Sequence, residues 1–426
     1  LQNIYIALEQ KKFVHTTLKW MGLGLLVGSV SGTASAIFLI CLDWVSSTRE
    51  ASIWLIGFLP LAGFLIGWVY HHHGGKSDKG ANLVLSELAA PRHPIPFLMA
   101  PLVFGGTLMT HLFGGSAGRE GTAVQMGASL ADSISRLVKL KQEDRHFMLI
   151  AGVAGGFASV FGTPLAGVIF AGEWMLIRKI DWKILLPVLL TAYIAHWVSA
   201  YGWQVIHTPF PEIGIAGYSV ADMFWVVPAG IAFGLAARLF ATTGHFFSHQ
   251  FAKRISYPPL RPLIGGVLIA LLVWITDSTT YIGLGVPRIL EAFESPLPWY
   301  DWLAKTGMTG LTLGSGFKGG EVTPLFFTGA TLGNSLSNWI PLPLALMAAI
   351  GFVSVFAGST NTPLACTVMG MELFGYEAGI YFAIGCVTAY LASGRSGIYS
   401  GQNLDNKLVV HLKTGIFDRF IASFKK

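Results

Sequence analysis

Gly114-Gly115-Ser116-Ala117-Gly118-Arg119-Glu120-Gly121-Thr122 is the stretch that decides how this chain is built, because it returns about 200 residues later as Gly319-Gly320-Glu321-Val322-Thr323. Two further matches fall in the same order at nearly the same shift. Phe157-Ala158-Ser159-Val160-Phe161 lies over Phe352-Val353-Ser354-Val355-Phe356, and Thr163-Pro164-Leu165-Ala166 through Glu173 lies over Thr362-Pro363-Leu364-Ala365 through Glu372. A weaker pair sets Gly80-Ala81-Asn82-Leu83 against Gly285-Val286-Pro287-Arg288. Ordered matches of this kind predict a duplication, with one repeat over 20–215 and a second over 216–405, between an N-terminal segment 1–19 and a C-terminal tail 406–426.

Composition says where the duplicated unit resides. Of 426 residues only 12% are charged, against about 25% in a soluble domain, and 53% are hydrophobic. That is more apolar surface than one water-soluble core can hide, so the chain is expected to be an all-α polytopic membrane protein. At about 20 apolar residues per crossing, the length allows roughly ten to fourteen spans and excludes a membrane-anchored soluble enzyme. Many apolar runs are broken by Gly and Pro, as at Gly162-Thr163-Pro164 and Gly358-Ser359-Thr360-Asn361-Thr362-Pro363. Irregular backbone survives at membrane depth only where protein or a water-filled cavity covers it. The breaks therefore predict half-length helices around an internal midplane site, as in duplicated transporters.

The formal charge of +6 is spread thinly, with none of the dense basic tracts that a nucleic-acid surface requires. Basic residues gather at Lys11, Lys12 and Lys19 and again at Lys407, Lys413, Arg419, Lys425 and Lys426, which places both termini on the cytoplasmic side. The first apolar run, from Trp20 to Leu42, is too long for a signal-peptide core and lacks a small-residue cleavage site. Cys41, Cys366 and Cys386 are too few for a disulfide framework. His71, His72 and His73 precede Gly74-Gly75-Lys76 without an acidic or cysteine companion, so they read as an interfacial loop and not as a metal site. No nucleophile elbow, His-Glu-x-x-His, phosphate loop or Cys-x-x-Cys supports an enzyme, and no cofactor is implied.

The acids inside the apolar stretches carry the chemistry. Glycines on both sides of Arg119-Glu120 let backbone NH groups converge at a helix N-terminus, a ready anion site by hydrogen bonding and dipole. A glutamate there acts as a tethered anion that fills the site when ionised and leaves it when protonated, which is a proton-linked gate. The alternative is a capping carboxylate permanently paired with Arg119. Glu321, Thr323 and Pro324 form the partner constellation, in which Thr323 supplies a hydroxyl donor and Glu321 either takes protons or caps its own helix. Two ionised carboxylates at one cavity would repel each other, so one or both must accept a proton. Glu173 and Glu372, at matching helix ends, read as structural groups that satisfy backbone donors.

At these residues the chain resembles the CLC family of chloride channels and proton-coupled anion antiporters, over nearly its whole length. The family's three anion-site motifs correspond to Gly80-Ala81-Asn82-Leu83-Val84, Gly118-Arg119-Glu120-Gly121-Thr122 and Gly320-Glu321-Val322-Thr323-Pro324, and Ile398-Tyr399-Ser400 is similar to the segment whose tyrosine closes the site from the cytoplasm. The resemblance implies two inverted repeats of tilted, broken helices, a homodimer with one pore per subunit, Glu120 as gate and Tyr399 as central tyrosine. It adds Asn82, Gly118, Arg119, Gly121, Thr122, Val322 and Thr323 to the anion site. The departures narrow it further. Ala81 replaces a coordinating serine, Thr122 replaces a proline, Glu321 occupies an apolar position, and Trp174 stands where chloride/proton antiporters carry an inner proton-accepting glutamate. These features resemble the fluoride-exporting branch, which implies fluoride export against proton entry across a bacterial inner membrane. A chloride/proton antiporter and a passive anion channel are the alternatives. Fluoride holds water strongly, so its site needs strong donors such as the Asn82 amide and the Thr323 and Tyr399 hydroxyls. Phe326 and Phe327 are possible ring-edge contacts for the anion, though packing is the commoner use of such rings.

Overall fold

The computed structural model describes residues 2–174, 182–214, 217, 219–394 and 397–402, apart from the side chains of 2–16 and 182–184. The expected repeat boundary at 215/216 and the tail 406–426 lie outside the described residues. The first half comprises α1 (Gln2–Ala51), α2 (Leu59–Val69), α3 (Ala81–Ala89), α4 (Met99–Leu112), α5 (Glu120–Leu137), α6 (Gln142–Phe161), α7 (Pro164–Glu173) and α8 (Trp182–Trp197). The second comprises α9 (Val220–Arg254), α10 (Leu260–Thr276), α11 (Val286–Glu291), α12 (Asp301–Ser315), α13 (Val322–Leu336), α14 (Leu344–Thr360), α15 (Pro363–Phe374) and α16 (Gly379–Ala392). No β-strand occurs among the described residues. α1 runs unbroken across the expected limit at residue 19.

Among the described residues, long crossings are fewer than length arithmetic allows. Four described stretches, Thr17–Ala51, Ile53–Ala89, Leu185–Gly202 and Val220–Arg254, are long and apolar enough to span a bilayer, and six more described apolar helices have only 10–17 residues. The cause is local backbone chemistry. α6 stops at Gly162 and α14 at Asn361, both left-handed with φ of 76° and 60°, and Thr163-Pro164 and Thr362-Pro363 then restart the chain as α7 and α15. Glycine and asparagine are the residues that tolerate such a C-terminal turn, and proline is preorganised for the first helical position. Trp44, Trp54, Trp274 and Trp339 remain exposed on the outside, as side chains facing lipid and its interface do.

The duplication is visible in what each half does with its hydrogen bonds. Asp132 on α5 accepts from Ile95 NH at 2.8 Å, and at the matching place Asn334 on α13 accepts from Leu297 NH at 2.9 Å. α5 packs on α6, and α13 on α14, through crossings that leave no room for a side chain. A Cβ on Gly127 would strike the Gly152 carbonyl, and one on Gly329 the Gly351 carbonyl. Small residues at such crossings let helices approach to backbone contact, which is how apolar bundles gain packing energy without a hydrophobic drive.

The two halves are joined head to tail. Glu173, at the end of α7, accepts from Leu364 and Ala365 NH at the start of α15 at 3.0 and 2.8 Å. Glu372, near the end of α15, accepts from Leu165 and Ala166 NH at the start of α7 at the same two distances. Each helix therefore caps the other, which requires α7 and α15 to run antiparallel. Gly118 and Gly320 likewise exchange both backbone bonds in an antiparallel bridge, at 2.6 and 2.8 Å. The repeats are inverted, and the two motif loops meet where they pair.

Candidate anion site

The bridge sets the N-terminus of α13 against the turn that begins α5. Arg119 is the N-cap of α5 and Glu120 its first residue, yet the Glu120 carboxylate does not serve its own helix. Its Oε2 accepts from Arg119 NH and Thr323 NH, both at 3.1 Å, and its Oε1 accepts from the Thr323 hydroxyl at 2.6 Å. The side chain is almost fully buried, 2% exposed. One repeat thus supplies the tethered anion, and the other supplies the helix terminus and hydroxyl that hold it. The Arg119 Nε lies 3.6 Å from Oε1, farther than the backbone and hydroxyl donors. Arg119 thus forms an ion pair with the carboxylate, while the shorter contacts come from Arg119 NH, Thr323 NH and the Thr323 hydroxyl. Gly118 and Gly121 make the approach possible. A Cβ on Gly118 would lie 2.9 Å from Glu120 Oε2 and 3.0 Å from Thr323 N, and one on Gly121 would lie 3.1 Å from the Gly320 Cα.

Glu321 occupies the N-cap position of α13 and makes no capping bond with its side chain. It lines a cavity of ≈ 240 Å³ together with Asn82, His245, Thr309, Ile398 and Ser400. A larger cavity of ≈ 620 Å³ reaches Arg119 from another direction, between His207, Arg49, Glu50 and the Leu284–Gly285 turn. Tyr399 is buried, on the segment whose Ile398 and Ser400 line the smaller cavity. The structure thus brings Glu120, Thr323, Gly118, Arg119 and Gly121 into one knot, with Val322 buried beside it and with Glu321, Asn82 and the Tyr399 segment around the adjoining cavity.

Other sequence candidates are committed elsewhere. The Thr122 hydroxyl bonds Thr107 of α4 at 2.7 Å, away from the carboxylate. Asn82 Oδ1 accepts from Gly401 NH at 3.0 Å, so its NH₂ is what Asn82 has left to offer the cavity. Phe326 stacks on Phe352 with centroids 3.9 Å apart and meets Phe161 and Phe356 edge-on. Phe327 is fully buried beneath the Lys305 ammonium, 5.3 Å from its centroid. Both rings are used in packing. Trp174 is buried against Phe170 and Tyr399.

Two groups escaped the sequence reading. Lys305 on α12 is fully buried and donates only to carbonyls, of Gly283 at 2.8 Å and Tyr281 at 3.2 Å. Gly283 NH in turn donates to Gly115 O, so this lysine ties α12 to the turn before Glu120. Arg145 pairs with Asp132 at 2.5 Å and with Glu87 at 3.6 Å, clamping the connection between α3 and α4. A lone Lys in an apolar run was the available signal for the first. The second joins residues from three helices and had none.

A family model described as voltage-gated chloride channel matches residues 61–394. The chloride/fluoride channel protein of Pseudomonas syringae pv. tomato is 46% identical over 402 residues, covering 93% of this chain and 89% of that protein. The crystal structure of a CLC-type fluoride/proton antiporter is similar at 35% identity and a TM-score of 0.87, covering 90% of this chain and 98% of that one. A slow cyanobacterial Cl⁻/H⁺ antiporter shares the fold at 19% identity and a TM-score of 0.77, over 96% and 99% of the two chains. With the paired motif loops and inverted repeats in place, this chain belongs to the voltage-gated chloride channel, or CLC, family of integral membrane proteins.

Proposed function

We propose that this protein exports fluoride in exchange for protons. The observation that carries the reading is the Glu120 carboxylate held by Thr323 NH, Thr323 Oγ1 and Arg119 NH, a donor set that suits a small, strongly hydrated anion equally well. Anion and ionised glutamate are then rivals for one place. Protonation neutralises the glutamate and halves its acceptor strength, the side chain leaves, and the anion takes the donors. The proton travels with the glutamate, so anion and proton move in opposite directions through one exchange. Glu321, free of any capping bond, holds or relays that proton at the smaller cavity. The Asn82 NH₂ and the Tyr399 hydroxyl offer further donors on that side. The similarity to a chloride/fluoride channel protein and to a fluoride/proton antiporter supports fluoride as the anion.

The working unit in this reading is a homodimer in a bacterial inner membrane, with both termini and the Glu321 cavity facing the cytoplasm and with no cofactor. The basic residues near both ends of the chain support that orientation. Proteoliposomes loaded with fluoride or with chloride, with external pH recorded alongside anion efflux, test the function. Proton uptake locked to fluoride efflux is the expected result. Equal coupled chloride efflux would instead make the protein a chloride/proton antiporter, and efflux without proton movement a passive channel. Glu321→Gln is expected to lose coupling while keeping its fold.

A further inference from the structure

Among the described side chains lining the Glu321 cavity, His245 is the one other titratable group. It sits on α9, is exposed, and its Nε2 lies 2.9 Å from the carbonyl oxygen of Gly397, two residues before Tyr399. A carbonyl only accepts, so this contact keeps a proton on Nε2 and leaves Nδ1 as the basic nitrogen. The elements packed around the cavity bring few competitors. α12 presents Thr309 and residues without ionisable groups, α3 presents Asn82, and α13 presents Glu321. Along α9 itself the neighbouring titratable and charged groups are Arg238, His249 and Lys253.

We propose that His245 passes the coupled proton between Glu321 and the water at the mouth of this cavity, an inference that rests on the antiport reading above. Water is a weak base, and imidazole is a far stronger one. Imidazole changes charge between pH 5 and 8 and is the matched acceptor. The step balances. The Glu321 carboxyl O–H bond breaks as a proton passes, through cavity water, to Nδ1, leaving a carboxylate and an imidazolium. The imidazolium then returns its Nδ1 proton to bulk water or buffer. Nε2–H stays on Gly397 throughout, since both ring nitrogens are donors in the charged form.

The test is fluoride-driven proton movement in proteoliposomes, with purified wild type, His245→Gln, His245→Ala and His245→Arg. Glutamine can still donate to Gly397 but cannot titrate, so it separates relay from anchoring. The relay predicts that His245→Gln and His245→Ala slow coupled transport at neutral pH by about tenfold or more. It also predicts that added imidazole restores His245→Ala, and that fluoride binding is unchanged by calorimetry. A wild-type rate in His245→Gln would overturn it. So would full activity in His245→Arg, which supplies charge without proton exchange, or a slow His245→Ala that imidazole leaves slow. Should His245→Gln fail to bind fluoride, imidazole restoration of His245→Ala decides alone. If wild type itself moves fluoride without protons, it is the antiport reading that fails, and the wild-type trace shows this before any variant is compared.

Discussion

Replacing Glu120 by glutamine keeps the size of the side chain and removes its charge. With the amide oxygen in the place of Oε2, the variant still accepts from Arg119 NH and Thr323 NH, and its NH₂ meets the Thr323 hydroxyl, which can turn to accept. Three contacts remain and all become neutral. A hydrogen bond to a charged group contributes about 1.5–3 kcal/mol and a neutral one about 0.5–1.5, so each contact weakens by about 1 kcal/mol. The sum of about 3 kcal/mol is an upper bound, because two donors share Oε2, and it corresponds to roughly two orders of magnitude in the competition between side chain and anion. The expected result is fluoride binding tightened by between ten- and a hundredfold in calorimetry, with fluoride movement in proteoliposomes no longer accompanied by protons. Proton uptake that still follows fluoride at the wild-type ratio would refute the gate. Fluoride binding unchanged within threefold would refute the competition, even if coupling were lost.

Ala81→Ser together with Asn82→Gly is expected to raise chloride transport relative to fluoride in matched efflux assays; since Asn82 also holds Gly401 NH, Ala81→Ser alone is the control that leaves this turn intact. Glu372→Ala strips the partners of Leu165 and Ala166 NH, and at about 1 kcal/mol or more for each orphaned donor it should lower the melting temperature in detergent without altering the ratio of protons to fluoride. Gly351→Ala drives a methyl group into the Gly329 backbone and is expected to destabilise by about 1–3 kcal/mol or more, read as lost melting temperature and a broadened gel-filtration peak, whereas Gly105→Ala, with open space around it, should be neutral or mildly stabilising.

How much of this was legible depended on whether the information lay along the chain or across it. The broken helices were readable because Gly162-Thr163-Pro164 and Asn361-Thr362-Pro363 are local signals, each ending one helix and starting the next within three residues. The duplication was readable because its motifs repeat as words. The assignment of Glu173 and Glu372 to structure was also available, since matching acids at helix ends have backbone donors near them, but the crossing of each carboxylate to the other repeat was not. Thr122 shows the converse failure. Its place in the motif suggested the anion site, while its hydroxyl is taken by Thr107, fifteen residues earlier on a different helix. The glycines at 127, 152, 329 and 351 were invisible among 51 glycines, because nothing in the sequence tells which of them faces another backbone.

Duplication also supplies a way to separate structural acids from working ones. Two copies of a helix unit begin with equal residues at equal places, and an inverted arrangement offers both copies the same environment. Where matching polar groups keep matching partners, the symmetry has been retained for stability. Glu173 and Glu372 each hold two backbone donors at 3.0 and 2.8 Å, and Asp132 and Asn334 each hold one linker NH. Glu120 and Glu321 also match in sequence, yet one takes the hydroxyl and NH of Thr323 while the other makes no cap and faces a cavity. The symmetry is broken by the partners: the first repeat's matching threonine, Thr122, has turned to Thr107 and offers Glu321 nothing. An anion path has a direction, and two carboxylates with identical surroundings would hold protons and anions equally well at both ends of it. Unequal surroundings give one carboxylate hydrogen-bond donors and set the other facing a cavity, which is the asymmetry that the proposed exchange of fluoride for protons requires.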